Sequence, residues 1–194
     1  MKIIKKIKQD SNKIVIPNLG EPEDWILAGI VDASHRTSGN LFAVGGHVVM
    51  LINKRNRAAS TIHWESKKIE RVVHSSAAAE TIALQMMFDT ITFVRKAVEQ
   101  MCGQRAKGMQ CVALTDNQGL FSNIHHLKSN VEDYRLQADI LELRKNIEQE
   151  KIVQEVRYVK SASNIADALT KTTKSGEMLL QLVQTGRYEL PGGT

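Results

Sequence analysis

The chain has 194 residues, a formal net charge of +5 and a pI near 9.2, a length that suits one domain burying roughly 70% of its unfolded surface. At 42% hydrophobic and 24% charged residues it is too apolar for general disorder. Two cysteines, Cys102 and Cys111, exclude a disulfide framework and fit a reducing compartment. The longest apolar stretch, 41–52, is interrupted by Gly45, Gly46 and His47 and falls short of the roughly 18 residues of a membrane span. The basic start MKIIKKIKQD has no apolar core of a secretory signal. A charge of +5 permits nucleic-acid binding without demanding it.

Residues 1–24 read as a tether or connection, with a loop over Pro17–Asp24. The domain is expected over 25–183, with a tail over 184–194. Trp25–Asp32 alternates as a strand, with Ile26, Ala28, Ile30 and Asp32 on one face. Asn40–Asn53 and Thr61–Lys68 read as two further strands joined by the basic turn Lys54–Ser60. Ser75 and Ser76 offer N-caps for a long helix. Its apolar stripe is Leu84, Met87, Ile91, Val94, Val98 and Met101, and Gly103 ends it. Met109–Leu114 is a short strand running into Asp116, and Asn117–Ile124 a brief helix. Tyr134–Gln149 is an amphipathic helix and Ile152–Val159 the last strand. Ser163 or Asn164 caps a final helix with Asp167 in its first turn. Three meandering strands followed by strand–helix–strand units predict an α/β fold, a mixed sheet with helices on both faces.

Four carboxylates stand at places where such a sheet can gather them. Asp32 and Asp116 end strands; Glu80 and Asp167 open helices. Each alone is explained as a solvated carboxylate or a helix-end charge. Together they repel and raise one another's pKa. Divalent cations remove that repulsion, and an all-oxygen donor set suits Mg²⁺ or Mn²⁺. Two such ions can clamp an in-line phosphoryl displacement.

The residues that carry these carboxylates resemble a known family. VDASHRTSGN (31–40), the Gly45–Gly46 pair, IHWESKKI (62–69), VVHSSAAAETIAL (72–84), LTDNQ (114–118) and RYVKSASNIADALTK (157–171) are similar, in order and spacing, to the ribonuclease H domain of copia-type LTR-retrotransposon polyproteins. The resemblance covers about residues 25–172. It implies a ribonuclease H-like fold with a five-stranded sheet in the order 3-2-1-4-5 and strand 2 antiparallel. It also implies an endoribonuclease that cuts the RNA strand of RNA–DNA hybrids with two Mg²⁺ ions, for which Mn²⁺ substitutes, leaving 3′-hydroxyl and 5′-phosphate ends. Asp32 would bridge both ions, Glu80 and Asp116 would complete the one beside the leaving group, and Asp167 would hold the one that activates water. The implied partners are the hybrid and the polymerase domain of the same polyprotein, inside the cell, in a cytoplasmic virus-like particle or the nucleus. Many ribonucleases H carry a histidine in the loop before the last aspartate. Here that loop is Lys160–Asn164, and Lys160 is the candidate in its place.

Arg36, Thr37, Ser38, Asn117 and Gln118 flank the aspartates and are candidate phosphate contacts, with turn and cap chemistry as the equal alternative. Lys67 and Lys68 join a basic cluster that would meet a phosphate backbone. Trp64 is expected to pack in the sheet, and His125 and His126 to be solvated at a helix end, without zinc-ligand spacing to any partner. Two rival readings remain: a catalytically silent module of this fold that binds nucleic acid or a polymerase domain, and an integrase- or resolvase-like enzyme acting on DNA. The early position of Glu80 argues against the second.

Overall fold

A computed structural model describes residues 13–35, 42–126, 133–171 and 176–192. Five strands form one sheet: β1 (Trp25–Ser34), β2 (Val44–Asn53), β3 (Ala59–Lys68), β4 (Gln110–Thr115) and β5 (Glu155–Tyr158), in the order β3-β2-β1-β4-β5. β2 is antiparallel to both its neighbours, whereas β4 runs parallel to β1 and β5 to β4. The expected mixed sheet and strand order are therefore present.

The chain chemistry explains why β1 lies at the centre. ILAGIV (26–31) is buried on both faces, as a strand flanked by helices on each side must be. Leu27 and Val31 join the core under α1 (Ser76–Cys102), α2 (Gln118–His125) and α3 (Tyr134–Glu148). Ala28 and Ile30 face the opposite core, with Ile165 and Ala166 before α4 (Asp167–Thr170) and Leu182 of α5 (Glu177–Thr185). Helices thus cover both faces.

The helix ends follow local chemistry. Ser75 Oγ accepts from the Ala78 amide at 3.1 Å and starts α1, satisfying a donor that the helix itself leaves without a partner. Gly103, at φ 61°, ends it. Asn117 Oδ1 accepts from the Leu120 amide and starts α2.

Several details depart from the sequence reading, among them Met101 of the expected apolar stripe, which is exposed, and Ala59 and Ser60, which belong to β3 and not to the turn before it. The second strand begins at Val44; residues 40 and 41 lie outside the described residues, and Phe42 and Ala43 are not in a strand. The last strand begins at Glu155, three residues later than the alternation suggested. The final helix is two pieces: a single turn at Asp167–Thr170 and a separate helix from Glu177. Its cap position is Ala166, because the Asn164 side chain is otherwise engaged, donating to Val31 O at 3.0 Å and accepting from the Ala166 amide. Finally, Trp64 is 64% exposed. It stands on the α4 side of the edge strand, beyond the reach of the short helices there.

Val49 pairs with His63 but Met50 pairs with Thr61, so Ile62 is the extra residue of a β-bulge. Beyond the bulge the facing alternation of β3 flips, and His63 and Glu65 turn toward the α1 face. There His47 of β2 is 1% exposed, with its ring 3.0 Å from Thr90 Oγ1 of α1. Burial first, and then neighbouring His63, push the His47 pKa down to about 4, so its ring is uncharged in the core near neutral pH.

Candidate active site

The carboxyl ends of the parallel strands β1 and β4 lie side by side, with Val31 paired to Thr115. Each strand then delivers an aspartate, Asp32 and Asp116, to the same edge. The first turn of α1 adds Glu80. Carboxylate oxygens of Asp32, Glu80 and Asp116 all lie within 4.8 Å of one another. Asp167 enters from the opposite face of the sheet through α4, four residues before Lys171.

Two glycines make this convergence possible. A Cβ on Gly46 would stand 2.8 Å from both Leu169 Cβ and Thr170 Cγ2, and one on Gly45 would stand 3.1 Å from Ala83 Cβ. Their missing side chains let α4 and α1 close on β2 from its two faces. Ser66 Oγ, in the same row as Gly46 and Asp32, donates to Leu169 O at 2.6 Å and fixes α4 there.

Asp32 is 1% exposed, Asp167 3% and Glu80 7%. Burial, then the charges of Asp32 and Asp116, push the Glu80 carboxyl up to about 8. Its Oε2 is buried and, among the described residues, has no hydrogen-bond partner. Burial likewise raises Asp32, although the Thr170 hydroxyl, which donates to it, and Lys171 work the other way. The Lys171 ammonium stands between two of the carboxylates, 2.5 Å from Asp167 Oδ1 and 3.2 Å from Asp32 Oδ1. Burial alone would lower its pKa; the bonds to Asp167 and Asp32 outweigh that and raise it.

A buried carboxylate oxygen without a donor, beside two further carboxylates, is a donor set that fits a hard divalent cation. Between Asp32 and Asp167 the lysine supplies the compensating charge. Lys171 and Thr170 stand in the motif RYVKSASNIADALTK (157–171), which by itself assigns neither a role. The signal was the four-residue spacing from Asp167 to Lys171, which places both on one side of a helical turn.

The other candidates fall around this centre. Lys67 and Lys68 are exposed on β3, paired with Gly45 and Val44 and so close to the Asp32 row; Lys68 Nζ also lies 3.0 Å from the Phe42 ring centre. Gln118 and Lys160 are exposed, whereas the Asn117 side-chain oxygen is engaged in the α2 cap. Arg36, Thr37 and Ser38 lie outside the described residues. His125 and His126 bond to the Phe121 and Ser122 carbonyls at the end of α2, and both are exposed there as expected.

No family model and no curated protein matches the chain. Solved structures do. An RNase H1 isolated from compost by a metagenomic approach, LC11-RNase H1, is 16% identical, with a TM-score of 0.53 over 74% of this chain and 91% of that one. The same enzyme in complex with an RNA/DNA hybrid is 17% identical, with a TM-score of 0.51 over 74% and 92%. The protease–reverse transcriptase of prototype foamy virus is 13% identical, with a TM-score of 0.47 over 94% of this chain and 23% of that one. The likeness to the two RNase H1 structures, with the strand order β3-β2-β1-β4-β5, shows that the chain has the ribonuclease H fold.

Proposed function

We propose that the chain is a ribonuclease H, a two-metal endonuclease that cuts the RNA strand of RNA–DNA hybrids during reverse transcription of a copia-type retroelement, working inside the cell beside that element's polymerase domain. The observation that carries the reading is the meeting of Asp32, Glu80 and Asp116 within 4.8 Å, with Asp167 tied to Asp32 through Lys171. The fold shared with an RNase H1 that has been captured on a hybrid supports it, as do the motifs in chain order.

Divalent ions bound here would supply Lewis acidity and an activated water for in-line displacement at phosphorus. The residues fit that task. Asp32 is central, facing the Glu80–Asp116 group within 4.8 Å on one side and bonded to Lys171, which it shares with Asp167, on the other. Glu80 brings an oxygen already stripped of water and without a donor, so a cation there meets a ligand whose desolvation is complete. Asp116 is half-buried and opens the cluster to the substrate side. To free the Asp32–Asp167 pair, Lys171 must swing away, and its ammonium is then available to the phosphate chain. Lys67, Lys68, Gln118 and Lys160 would meet the backbone, together with the Arg36–Ser38 turn, while hybrid selectivity would rest on 2′-hydroxyl and groove-shape contacts.

The silent-module reading has one observation on its side: Lys171 already pairs with two of the four carboxylates. A substrate panel separates the readings. The proposal expects strand-specific cutting of RNA in the hybrid, with duplex DNA and duplex RNA left intact. Cutting of duplex DNA would favour an integrase-like enzyme. Binding of the hybrid without cutting, in both Mg²⁺ and Mn²⁺, would favour the module.

A further inference from the structure

On the α1 face of the sheet, away from the acidic cluster, three metal-ligating side chains meet. His47 of β2 stands opposite Glu65 of β3, and His63 lies two residues before Glu65 on the same face. One ligand atom from each lies within 4.8 Å of the others, and the two imidazoles stack with centres 5.4 Å apart and planes 24° apart. We propose that His47, His63 and Glu65 form a binding site for a borderline-soft transition-metal ion of the Zn²⁺ class, with water in the remaining position.

Four observations support the site. First, two imidazoles and one carboxylate form a set that favours zinc-like ions over Mg²⁺, and three protein ligands plus water is a common zinc arrangement. Second, the His47 ring is oriented for it. The Thr90 hydroxyl lies 3.2 Å from Met86 O and donates there. With that proton so used, Thr90 Oγ1 accepts from His47 Nε2–H at 3.0 Å, which leaves Nδ1 bare. A fixed hydrogen bond on the non-ligating nitrogen is the usual support of a metal-bound imidazole. Third, among the described residues nothing bonds or pairs with the Glu65 carboxylate or hydrogen-bonds to His63, so both are free to turn inward. A tetrahedral site with 2.1 Å bonds spaces its ligands by roughly 3.4 Å, and modest side-chain rotations close the difference. Fourth, access is available: His63 and Glu65 are half-buried on the edge strand, and only His47 is deep.

This site is distinct from the acidic cluster. Its side chains point to the other face of the sheet, and Thr90 lies ten residues along α1 from Glu80, about 15 Å of helix. It does not depend on the nuclease reading, and its position across β2, β3 and α1 suits a clasp on the long edge strand.

The test is metal binding by the full chain, using Zn²⁺ and Co²⁺ alone as probes, in excess Mg²⁺ to occupy hard oxygen sites. The expected result is one Co²⁺ with visible d–d absorption of a four- or five-coordinate nitrogen–oxygen site, displaced by one Zn²⁺. That signal persists in Asp116→Asn and disappears in His63→Ala. Glu65→Gln should weaken Zn²⁺ by roughly 100-fold, and Thr90→Val, which keeps the shape of the side chain, by roughly tenfold. Zinc should raise the melting temperature of the parent chain and not that of His63→Ala. A Co²⁺ spectrum unchanged in His63→Ala and Glu65→Gln, or one lost in Asp116→Asn, would assign the ion to the acidic cluster and overturn the proposal. Absence of any Zn²⁺ binding in the micromolar range would do the same and leave a stacked histidine pair.

Discussion

Two neighbouring rows of the sheet, Asp32–Gly46–Ser66 and Val31–His47–Glu65, present different chemistry to opposite faces. The first gathers oxygens alone, drawn from β1, β4 and the helices α1 and α4, which are distant in sequence. The second gathers nitrogen and oxygen from two adjacent strands. Donor type and assembly route go together here. Hard carboxylates converge because strand ends and helix starts meet at one sheet edge, whereas the histidines converge through cross-strand register. The acidic group is crowded and carries an internal cation, Lys171; the histidine group holds the uncharged His47 ring and is braced by a single hydroxyl.

The largest expected effect breaks the first row and spares the second. Gly46→Val places a side chain where Leu169 and Thr170 already stand, which overpacks the junction by about 1–3 kcal/mol and moves Asp167 off β1. A shift of about 1 Å is enough to cost roughly 100-fold in rate. Hybrid cleavage should fall by that order while zinc binding persists; normal cleavage would show that α4 tolerates displacement.

Next, Lys171→Met removes the ammonium between Asp32 and Asp167 while keeping the length of the stem. The Mg²⁺ concentration for half-maximal activity should fall roughly tenfold, because a competing cation has gone. An unchanged requirement would mean that Lys171 leaves its carboxylates without opposing the ion.

The pH response sharpens the contrast in charge. Glu80 titrates at about 8 in the folded chain against an ordinary value near 4.5, so the folded state holds its proton more tightly than the unfolded one. The stability this contributes is complete below about pH 4.5 and is lost as pH rises through 8. Metal-free thermal melts should therefore decline across that window. Glu80→Gln should flatten this part of the decline, and Mg²⁺ should offset it by stabilising the ionised carboxylate. A parent chain whose melting temperature did not change between pH 5 and 8 would contradict the buried, crowded placement of Glu80.

The smallest effect lies at the rim. Lys67→Gln with Lys68→Gln should reduce the salt slope of hybrid binding by about 0.8 per lysine removed, measured by titration at several ionic strengths. An unchanged slope would place the backbone elsewhere.

These contrasts also explain what could be read from the sequence. Asp32, Glu80 and Asp116 were legible because period-two alternation and serine caps fix where strands and helices end, and parallel neighbours bring those ends together. The cap of the final helix was not, because the Asn164 bond to Val31 is a tertiary contact that takes its side chain from the cap position. Trp64 was misplaced because its exposure depends on how far the short helices reach over β3. The His47–His63–Glu65 group was hidden by the bulge at Ile62. Simple alternation puts His63 on the face of Thr61 and Ala59, and only the paired register reverses it.

The most direct measurement is cleavage of an RNA-labelled RNA–DNA hybrid by the parent chain and by Asp116→Asn, in Mg²⁺ and in Mn²⁺, with hybrid binding followed in parallel. The account predicts RNA fragments with 3′-hydroxyl and 5′-phosphate ends from the parent chain, and a loss of about 1,000-fold or more in the variant with binding retained, the order expected when metal-assisted stabilisation of several kcal/mol is removed. Equal cleavage by both chains, or binding by the parent without cleavage in either metal, would contradict it.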